Sequence, residues 1–134
     1  MTPAALLLAL AAAFPGVAAL LRLDVVATIT RAAETHHVPP RVLAAVCFAE
    51  SRLGTAPAGY ASLCGVRVHH VYVSSDALAA DIAARSLGRR RAECGTWARA
   101  LAYYRWGGGC GVVDRTRYGA RVLHVARRLG WREL

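Results

Sequence analysis

The chain has 134 residues, enough for one domain, and carries 17 basic side chains against 8 acidic ones, a formal net charge of +9. A composition of 56% hydrophobic and 19% charged residues excludes disorder. The chain has no Gly-x-y period, no sustained heptad and no repeat of about 20 to 50 residues, which excludes collagen, coiled coil and solenoid. All the basic residues are Arg, and Lys, Asn and Gln are absent, a bias towards Ala, Arg, Gly and Val. A domain so charged favours anionic surroundings, whether nucleic acid, phospholipid or an acidic wall polymer.

Leu6 to Leu21 is almost continuously apolar, interrupted by Pro15 and Gly16, and falls short of the roughly 20 apolar residues that a membrane span needs. Val17-Ala18-Ala19 supplies small residues at a cleavage position. Residues 1–19 therefore read as a signal peptide, with a retained membrane anchor as the alternative. Residues 20–134 read as an exported domain, periplasmic or extracellular.

Downstream, the pattern predicts helices over Leu23–His37, Arg41–Leu53, Asp76 to about Leu87, Cys94–Trp106 and Tyr118–Leu129. Pro39-Pro40 separates the first two, Gly54 stops the second, and Ser74-Ser75 precedes the third as a cap. Val66–Val73 alternates enough for a short extended segment. The expected fold is mostly α with at most a small β element.

Cys47, Cys64, Cys94 and Cys110 are an even set without Cys-x-x-Cys, the usage of two disulfides in an oxidising compartment. Four buried free thiols are the alternative. Of the three pairings, Cys94 with Cys110 is disfavoured. The intervening helix is roughly 16 Å long and its ends lie far apart, whereas bridged α-carbons lie within about 7 Å.

Leu43, Val46, Cys47, Glu50 and Leu53 recur at helical spacing, so Glu50 falls on the core face of the second helix. It also lies in the last turn, where the helix dipole is negative. Desolvation and the dipole both disfavour its ionised form, the condition of a general acid. A structural carboxylate paired with Arg52 or another Arg is the alternative. No Asp or Glu occurs between Glu50 and Asp76. A two-carboxylate glycosidase needs a partner within about 5 to 10 Å, so Glu50 would act largely alone, with Asp76 and Asp81 the nearest candidates after it along the chain.

The run Val42-Leu43-Ala44-Ala45-Val46-Cys47-Phe48-Ala49-Glu50-Ser51 resembles the catalytic-helix signature of the soluble lytic transglycosylase family, an apolar helix ending in Glu-Ser. Ser62–Arg67 sits where that family has its Gly-Leu-Met-Gln loop, and Ala100–Gly109 is similar to its Ala-Leu-Ala-Ala-Tyr-Asn-Ala-Gly-Pro-Gly segment. Tyr118–Leu129 is similar to its final helix. The resemblance spans about residues 27–129 in order. It implies a lysozyme-like, mostly α fold that cleaves the β-1,4 bond between N-acetylmuramic acid and N-acetylglucosamine, leaving a 1,6-anhydro end.

It further implies Glu50 as acid and then base, and Ser51 orienting the substrate or the carboxylate. Tyr118 would hydrogen-bond Glu50, Tyr104 would support the sugar, and Gly65 would let the protein backbone approach the glycan closely. The chain departs from the family pattern at Val66-Arg67, at Arg105 in place of Asn and at Gly108 in place of Pro. Arg67 and Arg105 are accordingly candidate contacts to an anionic group of the substrate, and Arg105 is also a candidate partner of Glu50.

The implied partners are peptidoglycan strands and, for local wall opening, a secretion, conjugation or phage machine. No stable oligomer and no cofactor is expected. His36-His37 and His69-His70 lack supporting ligand spacing, so no metal is expected. Arg89-Arg90-Arg91 reads as a solvated turn, and no nucleic-acid reading helix accompanies it. The competing classes are an inactive peptidoglycan-binding domain of the same fold and a basic helical module for nucleic acid.

Overall fold

A computed structural model describes residues 1–55 and 62–133 of the chain. Six α-helices form the body: α1 (Pro3–Ala13), α2 (Leu23–Thr35), α3 (Pro40–Ser51), α4 (Asp76–Cys94), α5 (Trp97–Trp106) and α6 (Tyr118–Arg128). A two-stranded antiparallel hairpin, β1 (Arg67–Val68) and β2 (Val71–Tyr72), projects between α3 and α4 with Arg67 opposite Tyr72. The fold is thus mostly α with a small β element, as the sequence predicts.

The core forms around α3, where every residue from Val42 to Cys47 is fully buried. Only an all-apolar helix can be surrounded on every side, and this stretch has no polar side chain to satisfy. Pro40 occupies the first turn, where its missing N–H has no helical partner to lose. α2 and α6 pack against α3, and α5 packs against α4 and α6.

The N-terminal segment is part of this packing. Thr2 caps α1 by accepting the Ala5 N–H, Leu6 and Leu10 are completely buried, and α1 lies against α2. Beyond it, Phe14 stacks on Phe48 with ring centroids 4.1 Å apart, and Arg128 donates to the Ala13 carbonyl at 2.7 Å. Among the described residues no helix is long and apolar enough to cross a membrane.

Three expectations need correction. First, α4 does not end near Leu87 but continues to Cys94, and Gly88 within it passes the His36 carbonyl so closely that a Cβ there would sit 2.7 Å from its oxygen. Gly88 is a packing residue. Second, Arg89-Arg90-Arg91 is therefore helix and not a turn. Arg90 lies over the Tyr103 ring at 4.4 Å and Arg91 over Trp97 at 5.6 Å, each guanidinium held on an aromatic face.

Third, the disulfides are Cys47–Cys64 and Cys94–Cys110, the second being the disfavoured bridge. α5 does separate its ends by about 15 Å. Gly107, Gly108 and Gly109, however, all have positive φ (71°, 83° and 100°) and turn the chain back along the helix. About four residues at roughly 3.4 Å each cover that length, and the Cys110 α-carbon arrives 5.3 Å from that of Cys94. Two disulfides are the mark of folding in an oxidising compartment.

Candidate active site

Glu50 stands in the last turn of α3, where the buried helix reaches the surface, and is half-buried. It lines two adjoining pockets, of about 510 Å³ and 350 Å³. Arg105 is the other residue common to both, so the carboxylate sits where one cleft continues on either side of it. No other Asp or Glu among the described residues lines either pocket. Among the described residues Glu50 forms no ion pair and no hydrogen bond of ordinary geometry, the two salt bridges being Arg22–Asp24 and His36–Asp81.

The two acids that follow Glu50 in the chain lie elsewhere. Asp81 accepts from His36 at 2.7 Å and fastens α4 to the end of α2, while Asp76 opens α4. A carboxylate without a cationic partner is free to exchange a proton with a ligand, which the Arg-paired alternative would have prevented.

The loop facing Glu50 is tied to α3 in two places. Cys47, one turn before Glu50, is bridged to Cys64 with α-carbons 4.1 Å apart. Ser51, buried, places Oγ against the carbonyls of Cys47 and Leu63 and accepts the Gly54 N–H. Within the loop, Ser62 accepts the Val66 N–H and its carbonyl accepts that of Gly65. These ties press Gly65, with φ of +68°, against the carboxylate: a Cβ at Gly65 would lie 2.6 Å from Glu50 Oε2. Ser51 consequently lines neither pocket and is a positioning residue that acts through the loop.

α3 ends abruptly at this point. Arg52 and Leu53 both adopt left-handed backbone, φ 51° and 59°, ahead of the Gly54 expected to stop the helix. Each such residue costs on the order of 1 kcal/mol, and the burial of Leu53 together with the Ser51–Gly54 hydrogen bond holds them there.

Two tyrosines flank the carboxylate, Tyr104 from α5 on the side of the larger pocket and Tyr118 from the start of α6 on the other. Burial raises the pKa of Tyr104, and the charge of Glu50 raises it further. Tyr118 is shifted upward more strongly, again by burial first and Glu50 second. Its hydroxyl is near enough to Glu50 to be held protonated by it, yet is buried without a hydrogen bond of ordinary geometry. Both side chains are thus neutral donors beside the acid.

Arg105 is exposed and lies over the Trp106 ring at 4.9 Å and the Tyr118 ring at 5.9 Å, stacked on the cleft wall rather than paired with Glu50. Arg67 is similarly laid on Tyr72, 4.7 Å from the ring centroid, at the rim of the larger pocket. Of the expected residues, Glu50, Gly65, Arg67, Tyr104, Arg105 and Tyr118 all line the cleft, and Ser51 lies behind it.

Sequence reasoning missed Thr116 and Arg121, which line the smaller pocket, and Asp114, which positions Tyr118. Asp114 accepts the backbone N–H of Gly119 at 2.9 Å and of Ala120 at 3.4 Å, securing the first turn of α6. An Asp shortly before the last apolar-periodic segment was the available signal. Compared with known proteins, the chain matches no family model, no curated protein and no solved structure.

Proposed function

We propose that the protein is a peptidoglycan lytic transglycosylase with Glu50 as its sole catalytic carboxylate. The observation that carries this reading is the placement of Glu50: among the described residues it is in no ion pair and is the one acid of a cleft that extends to both sides of it. A glycan lying through such a cleft would present one glycosidic oxygen to the carboxyl group.

The chemistry needs one acid acting twice. Protonated Glu50 donates its proton to the glycosidic oxygen as the C1–O4 bond breaks, releasing the N-acetylglucosamine 4-hydroxyl. The resulting carboxylate faces a cationic C1 and takes the proton of the muramic 6-hydroxyl as the O6–C1 bond closes. The 1,6-anhydro ring forms, no water is consumed and Glu50 ends protonated. Neutral Tyr104 and Tyr118 supply hydrogen-bond donors without competing for that proton. In this reading the domain is exported and monomeric, needs no cofactor, and opens peptidoglycan locally for a secretion, conjugation or phage machine.

The test is digestion of purified peptidoglycan by the oxidised full chain, with products read by mass spectrometry. Muropeptides with 1,6-anhydro ends are expected, and Glu50→Gln should abolish them. A Glu50→Gln protein as active as wild type refutes the role of Glu50. Hydrated reducing ends would mean hydrolysis, and a folded protein that binds the wall without releasing fragments would mean a binding domain.

A further inference from the structure

The cleft does not end at the smaller pocket. Thr116, Arg121 and Val125 line both that pocket and a third one of about 680 Å³ along α6, so the three form one run across the surface. Five arginines line this run, Arg67, Arg105, Arg117, Arg121 and Arg127, and Glu50 is its only carboxylate among the described residues. All five are exposed and none is in an ion pair among the described residues.

The bias towards Arg explains their identity but not this arrangement. Of the eight acidic residues in the chain, seven do not line the run, and the nearest of these in sequence to its arginines, Asp114, is turned to the backbone N–H groups of Gly119 and Ala120. Arg67 and Arg105 lie over aromatic rings, 4.7 Å and 4.9 Å from the centroids, and a guanidinium held on a ring face can still offer paired N–H bonds to a carboxylate. A neutral sugar chain has no use for five unneutralised charges. The peptide stems attached to muramic acid carry free carboxylates at intervals along the strand.

We infer that this run recognises the free carboxylates of those stems, with Arg117, Arg121 and Arg127 holding the stem peptides beside the segment bound at Glu50. The protein then selects peptide-bearing, unamidated strands over naked or amidated ones. The inference rests on the reading of the Glu50 cleft as a glycan cleft.

The test measures equilibrium binding of the full-length Glu50→Gln protein to soluble, uncross-linked glycan strands. Three forms are compared: native strands, strands with carboxylates amidated by carbodiimide and ammonia, and strands stripped of peptide whose freed lactyl carboxylates are amidated in the same way. Native strands should bind about tenfold tighter than either other form at low salt, and the margin should shrink as salt screens exposed charge. In an Arg117→Gln/Arg121→Gln/Arg127→Gln background, at exposed positions, the margin should fall to about twofold.

Equal binding of native and amidated strands overturns the inference, as does a triple variant that keeps the full margin. Carboxylate-dependent binding by a protein whose wild type yields no anhydro product refutes the proposed chemistry and leaves this inference standing. Anhydro products with equal binding of all strands do the reverse.

Discussion

Gly65 and Glu50 approach so closely that the α-carbon of one has no room for a side chain beside the carboxylate of the other: a Cβ at Gly65 would lie 2.6 Å from Oε2, 3.0 Å from Cβ and 3.1 Å from Cδ of Glu50. Residue 65 therefore decides where the acid can point. Gly65→Ala must both push the carboxyl group aside and hold alanine at φ of +68°. The expected result is a loss of about 1 to 2 kcal/mol in stability, from the left-handed backbone. Wall-digesting activity should fall about a hundredfold, a proportion out of scale with that modest destabilisation. Melting curves and initial rates on the same preparation check both.

The two disulfides should separate when removed one at a time. Each closes a loop of similar length, 17 and 16 residues, and loop-closure entropy puts each at roughly 3 kcal/mol. Cys47→Ser/Cys64→Ser frees the loop that carries Gly65, so activity per folded molecule should drop with stability. Cys94→Ser/Cys110→Ser loosens the return along α5 and should cost stability alone. Rates normalised to the folded fraction from denaturant melts distinguish the outcomes, and equal activity losses would contradict the placement of the first bridge.

Tyr118→Phe should uncouple stability from function. The buried hydroxyl makes no regular hydrogen bond, and removing an unsatisfied polar group gains about 1 kcal/mol. A rise in melting temperature of a few degrees is expected for a chain of this size. Activity should fall, since the donor beside Glu50 is lost. A stability loss instead would mean that the hydroxyl is hydrogen-bonded in the resting protein.

Alkaline pH should destabilise the fold through Tyr104 and Tyr118. Their pKa values are raised above the ordinary 10.0 by burial and by Glu50, so the folded state keeps both protons where the unfolded chain releases them. The folded state then binds more protons than the unfolded one, and stability falls as pH rises above about 10. Below that pH the two residues contribute no slope. Absorbance titration should find two of the five tyrosines ionising only on unfolding, and Phe at both positions should flatten the alkaline decline in stability.

A chain reduced to residues 20–134 should be measurably less stable than the full one. Leu6 and Leu10 are wholly buried, and burying a leucine is worth about 1.5 to 3 kcal/mol, so a loss of several kcal/mol is expected. Phe48, which lines the smaller pocket beside Glu50, also loses its stacking partner Phe14. Denaturant melts of the two forms give the difference directly.

The helices were legible because their signals are local. Pro40 at the start of α3, Ser75 before α4 and the apolar spacing through Glu50 act within one or two turns, and the structure follows them. The continuation of α4 past Leu87 was not legible, since Gly88 packs on the His36 carbonyl at the end of α2, which no neighbouring residue announces. The Arg89-Arg90-Arg91 run misled for the same cause, its aromatic partners Tyr103 and Trp97 being on α5.

By itself the sequence determined a mostly helical, disulfide-bearing domain with one carboxylate on an apolar helical face, since periodicity, caps and composition are properties of short stretches. Tertiary structure alone decided that Cys94 meets Cys110, that Glu50 goes unpaired while Asp81 turns to His36, and that Arg117, Arg121 and Arg127 continue the cleft. Each of these depends on where separate helices come to rest against one another, and that is set by the packing of the whole core rather than by any segment within it.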